Sequence, residues 1–76
     1  MKSSIVNKIF TELSAECNNY PDGVHMNIDM ANAATTYFCI CGDTDWNVDL
    51  ENNILMLETN EGTEWIDTDS IIRIHI

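Results

Sequence analysis

Asp43, Asp45, Asn47, Asp49 and Glu51 fall on every second position, the spacing at which oxygen ligands line the front of an EF-hand calcium loop. Such a loop also needs a glycine at its sharp turn and a bidentate glutamate at its end. Those two positions hold Val48 and Ile54, so no calcium site is expected. The same residues fit a strand, because Trp46, Val48 and Leu50 alternate with Asn47 and Asp49. Same-face side chains on a strand stand about 7 Å apart. The expected result is a row of carboxylates spaced on the order of the phosphates along a nucleic-acid strand.

A run of like charge is ordinarily just a solvated face. Here the wider composition argues for more. The chain has 76 residues with 13 Asp and Glu against 3 Lys and Arg, a formal charge of -10. Its only cations are Lys2, Lys8 and Arg73, so residues 9–72 hold every acid and neither a lysine nor an arginine. Ordinary surfaces mix both signs, since unrelieved like charge destabilises a fold. Glu58, Glu61, Glu64, Asp67 and Asp69 extend the acidic series toward the C-terminal end. Such a field repels nucleic acid and anionic membranes, whose binding depends on Lys and Arg displacing counterions, and it attracts basic protein surfaces.

The other reactive side chains make no constellation. Cys39 and Cys41 share one face of a strand, too close in sequence for their thiolates to converge on zinc in the usual way. Cys17 is expected on the helix face as a small core residue. His25 and His75 fall on polar strand phases, and no Ser or Cys nucleophile has a histidine at a motif spacing. Gly23, Gly42 and Gly62 form no phosphate loop. The chain is therefore expected to be non-enzymatic, with no metal and no cofactor. Three cysteines cannot all pair within one chain, and Met1 to Phe10 is too short and polar for a signal-peptide core, so a reducing, cytoplasmic setting is expected.

The elements that must position these residues show in the hydrophobic period. Behind candidate N-caps Ser3 and Ser4, the residues Ile5, Val6, Ile9, Phe10, Leu13 and Cys17 recur at helical spacing, predicting an amphipathic helix over about 4–18. The Asn18 to Gly23 turn signal ends it, and the period changes to two. Val24, Met26, Ile28 and Met30 define a strand. After a bend at Ala31 to Ala34, further strands are predicted at 35–41, 46–50, 54–59, 63–67 and 71–76. The fold class is α+β, a single domain over 1–76: one N-terminal amphipathic helix packed on a five- or six-stranded antiparallel sheet, flat or curled into a small barrel. An Sm-like small barrel shows a similar element order, an analogy of architecture that no motif residue extends. Trp46 and Trp65 are both expected in the core, and an exposed one would be an interface anchor. Ile71 to Ile76 has apolar residues on both phases, which predicts either a central strand or a homodimer edge.

The leading expectation is an acidic inhibitor that occupies the basic nucleic-acid-binding surface of a partner, such as a nuclease, as a nucleic-acid mimic. Small phage-encoded inhibitors of host defence, anti-CRISPR and anti-restriction proteins among them, exemplify that class. Its binding residues would be Asp43, Asp45, Asp49, Glu51, Glu58, Glu61, Glu64, Asp67 and Asp69. The alternative is a self-associating structural or regulatory module whose acidity serves solubility, followed by a small-ligand or divalent-cation binder.

Overall fold

The computed structural model describes residues 1–39 and 45–76, with residues 38 and 39 described by backbone alone. The elements are α1 (Ser3–Ala15), a 3-10 turn (Cys17–Asn19), β1 (Val24–Met30), β2 (Ala33–Cys39), β3 (Trp46–Asp49), β4 (Ile54–Thr59), β5 (Gly62–Asp67), a second 3-10 turn (Thr68–Ser70) and β6 (Ile71–His75). The class is α+β, as expected. The strands do not join in one sheet, however. They form two three-stranded antiparallel sheets, ordered β2-β1-β6 and β3-β4-β5.

The division follows from the turn after β5. Thr68 is fully buried, and both its backbone N–H and its hydroxyl donate to the Asn53 carbonyl, at 2.9 and 3.2 Å. That anchor turns the chain away from β5, so β6 lies beside β1 instead of extending the hairpin. The Met1 amino group reinforces the corner by donating to the carbonyls of Thr68 (3.0 Å) and Ile71 (2.6 Å).

In α1 the buried residues Val6, Phe10 and Ser14 recur every fourth position and make one stripe against β3 and β4. The serines play other parts than expected. Lys2 is the N-cap, without a side-chain hydrogen bond, and Ser3 is buried inside the first turn with its hydroxyl directed at the Leu50 carbonyl (3.4 Å). The helix stops at Ala15, so Cys17 sits half-buried in the 3-10 turn and not on the helix. Asn18, Asn19 and Pro21 favour that tightening over another helical turn.

The core lies between the sheets and under the helix: Val6 and Phe10 meet Val24, Met26 and Ile28 of β1, Leu55 and Leu57 of β4, Ile66 of β5 and Ile71. β1 buries alternate residues as its period requires. The β4–β5 loop is only Asn60 and Glu61, with Gly62 at φ 120°, a backbone conformation that L side chains avoid. β2 starts two residues earlier than predicted, because Met30 pairs with Ala33 across a tight turn. β6 pairs with β1 alone among the described residues, so it is an edge strand and not a central one. No described helix is long and apolar enough to cross a membrane.

Candidate interaction face

The strand order puts β4 in the middle of its sheet and so brings the two acidic groups together. Asp49 pairs with Ile54 and Ile54 with Asp67; Asn47 pairs with Met56 and Met56 with Trp65. The Glu58 N–H donates to the Asp45 carbonyl at 2.8 Å, and Glu58 pairs with Thr63. Because Leu55, Leu57 and Ile66 take the inward phase, these nine residues occupy the outward one. The outer face is thus a grid of three rows. Asp45, Glu58 and Thr63 form one, Asn47, Met56 and Trp65 the next, and Asp49, Ile54 and Asp67 the third.

An apolar and aromatic row therefore runs between two acidic ones, each about 7 Å away along the strands. Trp65 is 70% exposed and Ile54 37% exposed. The expectation that both tryptophans are core residues is corrected for Trp65. Trp46 does pack inward: its ring lies 5.5 Å from that of Phe10, centroid to centroid, and its indole N–H donates to the Ser14 hydroxyl. Within Thr63–Asp67 the signal was available, since Trp65 shares its phase with Thr63 and Asp67 while Ile66 takes the other.

The carboxylates are not equivalent. The Asp49 carboxylate accepts from the backbone N–H groups of Glu51 (3.1 Å) and Asn52 (3.0 Å) and from the Asn52 amide (2.9 Å). These bonds, the Asn52 side chain first, hold its pKa below the usual carboxylate range. The turn they stabilise is favoured above that range and loosens as pH falls through the lowered value. Asp67 likewise accepts from the Asp69 N–H (3.0 Å) and the Ser70 hydroxyl (3.4 Å), and Glu58 from the Thr63 hydroxyl (2.7 Å). Glu51, Glu61 and Asp69 lie exposed in the turns that border the sheet. Asp43 lies outside the described residues, as does Cys41.

Glu64 stands apart, because it pairs with the buried Leu57 and so shares the inward phase. Its charge acts on Tyr37 of β2. Burial pushes the Tyr37 hydroxyl above its ordinary value, Glu64 pushes it further, and a hydrogen bond with Thr35 opposes both. A raised folded value means that this contribution to stability is complete below the unfolded tyrosine pKa and is lost as pH rises through the folded one. Glu64→Gln is therefore expected to bring Tyr37 down toward, but not to, about 10. Tyrosinate absorbance in a Tyr20→Phe background reads this directly, and an unchanged titration would mean that the carboxylate does not face the phenol.

The cations lie elsewhere: Lys2 and Lys8 are at and in α1, and Arg73 of β6 pairs with Asp29 of β1 at 2.7 Å. His25 and His75 are exposed. Among the described residues no three His, Cys, Asp or Glu side chains gather where a metal could be held. Comparison with known proteins adds no relative, since no family model, no curated protein and no solved structure matches this chain.

Proposed function

We propose that this protein is a non-enzymatic inhibitor that lays the outer face of β3-β4-β5 against the basic nucleic-acid-binding surface of a partner protein. The observation that carries the reading is the outer grid, in which exposed Trp65 and half-buried Met56 lie between carboxylates on both sides. Acids alone would make a soluble surface. A planar ring bracketed by anions offers a basic groove what a nucleotide offers, negative charge to pair with Lys and Arg and a flat face on which a guanidinium can stack. A sheet backed by the core and by α1 would hold that face in place. The finer assignment, to a phage-encoded anti-CRISPR or anti-restriction inhibitor acting in a cytoplasm, belongs to this same reading.

The test compares two triple variants with the same charge change. Asp45→Asn, Glu58→Gln and Glu61→Gln neutralise the face and its bordering hairpin; Glu12→Gln, Glu16→Gln and Asp22→Asn neutralise the far side. Each is measured in competition with labelled DNA or RNA for nucleases with basic substrate channels. The face variant should lose at least about tenfold in affinity and the control far less, because long-range steering changes equally in both. Equal losses, or a complex in which partner, nucleic acid and this protein coexist, would sink the reading.

A further inference from the structure

We infer that a second copy of this chain pairs with β6, edge to edge and antiparallel about a two-fold axis, so that two β2-β1-β6 sheets become one. Three observations meet at this edge. First, β6 is hydrogen-bonded on one side only among the described residues, and an open strand edge is a template for another strand. The bulge lies at its start, where Ile72 has no partner on β1, and the pairing is regular from Arg73 to His75.

Second, the apolar surface beside that edge is only partly covered. Ile5, Ile9 and Leu13 follow one another every fourth residue on α1, next to the buried stripe of Val6, Phe10 and Ser14. Ile9 and Leu13 line a groove of about 210 Å³ with Met26, Ile74 and Ile76, and Glu12, Glu16 and His75 add polar groups to its lining. Ile5 is 47% exposed and Ile76 54% exposed. Continuing the sheet past β6 carries the second copy's Ile74 and Ile76 under this helical stripe, and the two-fold axis repeats the contact in the other direction.

Third, charge selects this edge for self-contact. Two chains of -10 repel each other, so they meet at least cost along the strand edge with the fewest acids. β6 itself has no acid, its Arg73 is paired with Asp29, and Glu12 and Glu16 are the carboxylates that line the adjoining groove. By contrast, β3 and β5, the edges of the other sheet, carry Asp49 and both Glu64 and Asp67 within the strands themselves. β2 is also free of acids, but its exposed residues Ala33, Ala34 and Thr36 are small or polar. A stable interface covers about 800 Å² per partner, against a total surface of 4727 Å². A five-residue strand edge alone falls short of that, so the contact must also take in the half-exposed apolar stripe on α1.

This association is independent of the acidic face, and salt separates the two. Screening weakens attraction between that face and a basic partner, but it relieves repulsion between two acidic copies. Sedimentation equilibrium of the full chain should therefore show the mass rising from 8.6 kDa toward twice that value as salt is raised from about 0.01 to 1 M, over which the Debye length falls from about 30 to about 3 Å. Ile5→Lys with Ile76→Lys should raise the dimer dissociation constant at least about tenfold, although the added lysines reduce the net repulsion. Either substitution alone, each at a half-exposed site, serves if the pair disturbs the fold as judged by circular dichroism. A monomer at every salt concentration, a dimer that salt dissociates, or a folded variant that still dimerises would each overturn the proposal.

Discussion

Phe10→Ala is expected to cost about 3–5 kcal/mol of stability, the range for truncating a buried aromatic residue to alanine. A domain of this size has roughly 4–11 kcal/mol in total at the usual stability per residue. One substitution would thus remove between about a quarter and all of it. The size of the effect comes from position: Phe10 is fully buried, is central in the Val6, Phe10, Ser14 stripe, and supports the Trp46 ring at 5.5 Å. Removing it opens a cavity where α1 meets β3 and β4, and the two rigid sheets cannot collapse to fill it. Urea titration followed by Trp46 fluorescence should show the midpoint falling by at least about a quarter, in a Trp65→Phe background that leaves one emitter. A loss under about 1 kcal/mol would mean that the helix is not clamped to the sheets as described.

The helix and the strand positions were legible because their signals are local. Val24, Met26 and Ile28 alternate with polar neighbours, and nothing else competes for the inward phase of that strand. In Ile54–Thr59 the extent was legible but the inward face was not, since Ile54 and Met56 are as apolar as Leu55 and Leu57. The choice is made by α1 and β1 packing on one side, which period-two counting does not contain. The split into two sheets was hidden for the same reason. It depends on Thr68 reaching the Asn53 carbonyl, a contact between residues fifteen apart that neither composition nor turn propensity records.

The acidic residues were legible as a group and not as a surface. A single unbroken row was expected, from Asp43 through Glu51. The structure ends β3 at Asp49, spends that carboxylate on the following turn, and turns Glu64 inward against Tyr37. What the strand order adds is the pairing of Asp45 with Glu58 and of Asp49 and Asp67 across Ile54, with a tryptophan between the rows. Like charges opposite one another on a sheet are unfavourable. Their gathering on one face, with every cation placed elsewhere among the described residues, carries a cost that scattered acids would avoid.

On the proposed function, Trp65→Ala is expected to weaken binding to a basic partner by about 2–4 kcal/mol, roughly thirty- to a thousandfold, as truncation of a central interface tryptophan does. The fold should be unaffected, because the side chain is 70% exposed and touches solvent where a core residue would touch neighbours. Trp65→Phe keeps a flat ring without the indole N–H and should recover part of the loss if stacking on a partner cation is what the ring supplies. The salt dependence adds a second readout. Removing a carboxylate from the face lowers the slope of log affinity against log salt, whereas removing Trp65 lowers affinity and leaves that slope unchanged, since the ring carries no charge. Isothermal titration of the wild type and both variants at three salt concentrations distinguishes these outcomes. If Trp65→Ala binds as tightly as the wild type while the melting temperature is also unchanged, the ring is an incidental exposed side chain and the interaction face must be sought away from β5.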